Sequence, residues 1–118
     1  MPVPILKQGS TLIASIVAAL SDQDLVDFRD ALAHKIGADR ARGVIIDVTA
    51  LDVLDSFATR TLRGIAYAAR LRGARTVIVG IQPSVAFAMV QLGLDLVGID
   101  TALDLEEGMA ILARVRAG

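Results

Sequence analysis

The chain has no cysteine and no tryptophan, and only one histidine, one tyrosine, three phenylalanines and three prolines among its 118 residues. Each shortage removes a class of function. Without cysteine there are no disulfides and no thiolate metal sites, which fits a reducing compartment. A single histidine, His34, argues against a protein-only transition-metal site. Aromatic residues make up 3% of the chain, so the stacking platforms that hold single-stranded nucleic acid are missing. Charge of neither sign is in surplus: 12 Lys+Arg against 13 Asp+Glu give a net charge of −1. Such a balance exerts no general pull on nucleic acid or an anionic membrane. Hydrophobic residues reach 54%, yet no run approaches the ~20 residues that span a bilayer. Met1-Pro2-Val3-Pro4 lacks the basic-then-apolar pattern of a signal peptide. No Gly-x-Gly-x-x-Gly follows a strand and no Gly-Lys-Ser/Thr loop exists, so a nucleotide cradle has no support. The expected setting is the cytosol, with no nucleic acid, no membrane and no cofactor.

What the chain does have is a regular alternation of short β-branched runs and amphipathic stretches. Residues 1–118 suit one domain with a core of its own. Val3–Lys7, opened by prolines, reads as an edge strand. Gln8-Gly9-Ser10 is a turn and Thr11–Val17 a second strand, so the two should form an antiparallel hairpin. Ser21-Asp22-Gln23-Asp24 has capping-box-like spacing, and Leu25, Phe28, Leu32 and Ile36 follow at helical intervals. Gly37 is expected to stop that helix. Val44–Thr49 is a run suited to a strand covered on both faces.

A helix after Ser56 turns Leu62, Ile65, Ala66 and Ala69 to the sheet and ends near Gly73. Its second stripe, Arg60, Arg63, Tyr67 and Arg70, should face solvent or a partner. Arg75–Gly80 is another covered strand. Pro83 opens a third helix, with Val85, Ala88, Met89 and Leu92 inward and Gly93 as its stop. Val97–Asp100 reads as a last short strand, and Asp104–Arg116 as a terminal helix through Leu105, Met109 and Leu112. The order β-β-α-β-α-β-α-β-α predicts an α/β fold: one domain with a mixed, mostly parallel sheet of about five strands and four helices.

The chemistry is concentrated between Arg42 and Arg60. Asp47, Asp52 and Asp55 place three carboxylates around the exit of the central strand. Ser56 stands before the next helix, where its oxygen suits an N-cap as Ser21's does earlier. On position alone Ser56 is a cap, and Thr59 and Thr61 are ordinary helix residues. His34 lies mid-helix, far from this loop, so no nucleophile, base and orienting acid assemble in the sequence. Asp47 ends a central parallel strand, where α/β sheets bind ligands. A phospho-Asp receiver would use it. The acidic pair and the lysine that receivers use beside a divalent ion are missing, however, and Asp47 reads as a loop-ordering side chain.

The element order, the strand Val44-Ile45-Ile46-Asp47-Val48 and the loop Leu51-Asp52-Val53-Leu54-Asp55-Ser56 resemble the STAS domain of bacterial anti-sigma-factor antagonists. Through Asp52-Val53-Leu54-Asp55-Ser56-Phe57-Ala58-Thr59-Arg60 the chain is most similar to the stressosome branch of that family. Phe57 and Ala58 stand where many antagonists have a second small residue and a glycine. The resemblance implies a STAS fold and no catalytic role. It implies phosphorylation of Ser56 by a partner kinase, and partner contacts through Asp52, Asp55, Phe57, Thr59 and Arg60. It further implies homo- and hetero-oligomeric assembly with RsbR-like paralogues into a large stressosome. There the chain would hold an RsbT-like serine kinase until phosphorylation under stress releases it. The second reading is a small-molecule STAS module that binds nucleotide or lipid within a transport complex.

Overall fold

Aliphatic and β-branched residues occupy consecutive positions in the central strands because both faces of the sheet are covered. The computed structural model describes residues 3–96 and 98–117, with side chains to residue 114. β1 (Ile5–Gln8) and β2 (Thr11–Ser15) form the antiparallel hairpin. β2 then runs parallel to β3 (Gly43–Asp47), β3 to β4 (Arg75–Val79) and β4 to β5 (Asp100–Ala102). Strand order equals chain order, β1-β2-β3-β4-β5. The expected mixed, mostly parallel five-stranded sheet with four helices is the one observed.

The helices α1 (Asp22–Asp39), α2 (Ser56–Leu71) and α3 (Pro83–Gln91) link successive parallel strands. Crossovers of one hand that step in one direction deposit their helices on one face. There Leu12, Ala14, Val44, Ile46 and Ile78 share a cluster with Phe28, Leu32, Ile36, Leu62, Ile65, Ala69, Val85 and Met89. α4 (Leu105–Ala117) covers the other face, where Leu112 clusters with Ile13, Ile45, Val77 and Val79. It settles on β3 and β4 at two positions without side chains. A Cβ on Gly108 would lie 2.8 Å from Val79 Cγ1, and one on Gly43 2.8 Å from Leu112 Cδ1.

Several expected boundaries move. Ser21 does cap α1: its Oγ accepts from Asp24 N at 3.0 Å, and Asp24 Oδ2 accepts from Ser21 N at 3.2 Å. Gly37, however, does not stop this helix, which runs on to Asp39. Arg40 takes the left-handed conformation there (φ 50°), and Ala41 N donates to Ile36 O at 3.1 Å. Gly37 instead makes room for Arg72, whose Nη2 would stand 2.8 Å from a Cβ at that position. Gly73 (φ 85°) and Gly93 (φ 68°) do follow the ends of α2 and α3 in the left-handed region.

α3 buries only Val85 and Met89, leaving Ala88 and Leu92 exposed along with Phe87 and Val90. β2 stops at Ser15, which leaves Val17 outside. The last strand lies at Asp100–Ala102 and shares only Asp100 with the expected one; Val97 falls outside the described residues. Arg75 Nε donates to Asp100 Oδ2 at 2.6 Å, tying β4 to β5. This hydrogen bond, reinforced by the carboxylate's charge, raises the Arg75 pKa above its ordinary value.

Candidate phosphorylation site at the carboxyl edge of the sheet

The loops that leave β2, β3 and β4 gather at the carboxyl edge of the sheet, where parallel α/β architectures place their ligands and contacts. The loop after β3 is the most constrained. Asp47 Oδ1 accepts from Thr49 N at 2.9 Å and from Thr49 Oγ1 at 2.6 Å. Gln82 Nε2, at the start of α3, donates to Thr49 O at 2.8 Å. A Cβ on Gly80 would collide with Thr49 Oγ1, so the loop lies directly on the end of β4. Leu51 and Leu54, each 7% exposed, peg it into the core. Asp52 and Val53 therefore project outward.

At the head of α2 the structure overturns the reading of Ser56 as a cap. Asp55 is the N-cap: its Oδ1 accepts from Ala58 N at 2.8 Å, and its carbonyl accepts from Thr59 N at 2.9 Å. The carboxylate also complements the positive helix end better than a neutral hydroxyl does. Ser56 is the first helical residue, half-buried, and among the described residues its hydroxyl makes no hydrogen bond. Asp55→Ala should therefore cost about 1 kcal/mol in urea unfolding, the usual worth of a cap. Asp55→Asn should keep most of that, and Ser56→Ala should stay within ~0.5 kcal/mol of the parent. Equal losses in Asp55→Ala and Ser56→Ala would return the cap to Ser56.

The neighbouring residues divide by burial. Phe57 is half-buried, and its carbonyl accepts from Thr61 Oγ1 at 2.8 Å. Thr59 is 1% exposed, with an unpartnered Oγ1, so it lies beneath the surface that the sequence assigned to partner contact. Of the three hydroxyls on this stretch, Ser56 alone is both accessible and uncommitted. Arg60 is exposed one helical turn on, at i+4 from Ser56.

The stripe expected to face solvent or a partner is exposed at Arg60, Tyr67 and Arg70 and half-buried at Arg63, and two of its arginines bond within the chain. Arg63 Nη1 donates to Asp95 O at 3.2 Å and Oδ1 at 3.3 Å, and Arg70 Nη2 donates to Gly98 O at 2.6 Å. These two side chains fasten α2 to the connection between α3 and β5. Sequence reasoning missed Val17 and Val53, exposed at 68% and 66% beside the site. Val53 and Ala19 line a hollow of about 70 Å³ that also reaches Asp55 and Ala58. Their signal was there: apolar residues in the loops that follow β2 and β3, on the edge that carries Ser56.

Asp47 is not placed for receiver chemistry. Its Oδ1 is committed to Thr49. No group of three His, Cys, Asp or Glu among the described residues stands together to hold a metal ion. The sheet also lacks the 2-1-3-4-5 order of receiver-like folds. Among the described residues no helix is long and apolar enough to cross a membrane.

An antiparallel leading hairpin, parallel strands in chain order and helices on both faces together make the architecture of a STAS-type domain. The STAS domain family model matches residues 3–108, and the chain belongs to that family. A structure of Moorella thermoacetica RsbS, carrying a serine-to-glutamate substitution, is 39% identical over 98% of both chains, with a TM-score of 0.86. A chain in the molecular architecture of the stressosome, a signal integration and transduction hub, is also 39% identical. It covers 98% of this chain and 100% of its own, with a TM-score of 0.83. The RsbT co-antagonist protein RsbRA of Bacillus subtilis (strain 168) is 27% identical over 97 residues, 82% of this chain. The chain spans 35% of that relative's length.

Proposed function

We propose that this protein is a non-catalytic stressosome component of the RsbS type, which holds an RsbT-like serine kinase and releases it when Ser56 is phosphorylated. The observation that carries the reading is the freed hydroxyl of Ser56. Asp55 takes over the capping, so Ser56 has no structural duty that its position demands. Likeness to RsbS and to a stressosome chain, each at 39% identity over nearly the whole sequence, supplies the context. The RsbRA likeness supports assembly with RsbR-like paralogues.

The physics of the site suits a switch that leaves the fold intact. A phosphate at the first position of α2 meets the positive helix end and has Arg60 within one turn. A serine-to-glutamate exchange in the RsbS relative leaves its fold superposable on this one, with a TM-score of 0.86. The charge therefore acts at the surface made by Asp52, Val53, Asp55, Ser56, Phe57 and Arg60, with Val17 beside it. A nucleotide-binding module at this edge has less support, because the hollow beside Asp55 holds only about 70 Å³, against the ~300–1,000 Å³ of ordinary ligand pockets.

Incubation with an RsbT-type kinase and ATP, followed by mass-spectrometric mapping, should place one phosphate on Ser56. Ser56→Ala should accept none. Phosphate on Asp47 or Thr61 in the folded protein would refute the assignment.

A further inference from the structure

The pole opposite Ser56 carries a second concave surface, at the far ends of α1 and α2. α1 and α2 pack side by side there, and the small residues Ala33, Ala68 and Ala69 keep the furrow between them open. Its floor is Ile36 and Ile65, its volume about 290 Å³, and Arg29 and Arg72 also line it. A second hollow of about 300 Å³ is lined by Arg40, Arg42 and Arg72 around Gly37 and Gly73, at the amino edge of β3 and β4. The two share Ile36 and Arg72, so furrow and cationic hollow are continuous.

No acidic residue lines either. Arg29 pairs with Asp30 and Asp39 with Lys35, whereas Arg40, Arg42 and Arg72 make no side-chain ion pair among the described residues. The carboxyl ends of α1 and α2 bring roughly half a negative charge each, which three guanidiniums outweigh. Gly37 leaves room here for Arg72 to lie over the α1 backbone, its Nη2 2.8 Å from where a Cβ would stand. In a chain of net charge −1, three uncompensated arginines beside an apolar furrow form a distinct chemical surface.

We propose that this pole binds an anionic amphiphile, a single alkyl chain carrying a phosphomonoester or a similar dianionic head. The head sits among Arg40, Arg42 and Arg72, where planar guanidiniums match phosphate geometry. The chain lies along Ala33, Ile36, Ile65 and Ala68. A bare anion leaves the furrow wet, and an uncharged chain leaves the guanidiniums without counter-charge, so the surface favours a ligand with both parts. The site is independent of Ser56 and of the kinase.

Titration of isotope-labelled protein with octyl phosphate below its micelle concentration, followed by amide NMR, tests this. Saturable shifts are expected at Gly37, Ala41 and Gly73 and along Ala33 and Ala68. Affinity should be at least about tenfold above that for inorganic phosphate or octanol. Arg40→Gln and Arg72→Gln should each weaken binding by about tenfold, while Arg60→Gln at the opposite pole should not. Ala68→Leu, at an exposed position, should fill the furrow and weaken octyl phosphate while sparing inorganic phosphate.

Phosphatidate-containing vesicles should not co-sediment the protein, because the furrow takes one chain from solution; co-sedimentation without binding of the soluble ester would overturn the proposal. The proposal is overturned if inorganic phosphate or octanol matches octyl phosphate, or if Arg60→Gln costs as much as Arg72→Gln. It is equally overturned if a polyglutamate peptide moves these amides while octyl phosphate does not, since the surface then docks an acidic chain.

Discussion

Phosphorylation of Ser56 is expected to lower retention of an RsbT-like kinase by about 100-fold or more without unfolding the domain. A phosphoserine adds roughly −1.5 to −2 charges at neutral pH, next to the Asp55 carboxylate and on the same loop surface as Asp52. A partner docked over the neutral hydroxyl has to desolvate that dianion among like charges, a juxtaposition that costs several kcal/mol at an interface. Every ~1.4 kcal/mol is tenfold. The opposing terms are small and belong to the free protein. The helix end contributes about 0.3–1 kcal/mol and an i,i+4 partner such as Arg60 about 0.2–0.5 kcal/mol. They keep the modified domain folded and do nothing for the complex.

Calorimetric titration of kinase into unmodified and stoichiometrically phosphorylated protein measures the ratio directly, with thermal melts of both forms as the control. Ser56→Ala should bind like the unmodified protein. Ser56→Asp should fall between the two, because it supplies less charge. Equal affinity of modified and unmodified protein would sink the mechanism; lost affinity with a collapsed melt would mean that the phosphate acts by unfolding.

The periodicities that define a sheet covered on both faces were readable from the sequence because each depends on a run of residues. Val44–Val48 and Thr76–Val79 could be little else, and Leu62, Ile65, Ala66 and Ala69 face inward as their spacing demands. Single-residue assignments were less secure, because neighbours compete for the same duty. Serine and aspartate are both good N-caps; Ser21 won at α1 with an acid three residues on, and Asp55 won at α2, where the serine follows it. That one-residue shift turns Ser56 from structural oxygen into available hydroxyl.

Gly37 was mistaken for a stop because its purpose, room for Arg72, depends on a helix thirty-five residues later in the chain. The Arg63 and Arg70 contacts were hidden for the same reason, since Asp95 and Gly98 lie in a connection without periodicity. At α3, spacing could say which residues share a side but not how little of a nine-residue helix would reach the core. Thr59 shows the converse limit: a motif placed it among partner contacts, and packing buried it.

The face covered by α4 makes the largest demand on packing, and Leu112→Ala should be among the most destabilising single changes in the domain. This face relies on one helix, whereas the other has three. Leu112 is 2% exposed and fills the space above Gly43, which has no side chain to relax into a void. Leucine-to-alanine losses in cores run from about 2 to 5 kcal/mol, and the upper half applies where the surroundings cannot collapse. A loss of about 4 kcal/mol corresponds to roughly 15 °C in Tm for a domain of this size.

Gly43→Ala should destabilise too, by about 1–3 kcal/mol, because its Cβ would sit 2.8 Å from Leu112 Cδ1 and 3.3 Å from Thr11 Oγ1. The two losses should not add. In the double variant the new methyl enters space vacated by the leucine, so the combined cost should fall short of the sum by about 1–2 kcal/mol. Urea unfolding of the four proteins in this cycle measures that coupling. Additivity within ~0.5 kcal/mol would mean that Leu112 and Gly43 do not share the packing site through which α4 is held against β3.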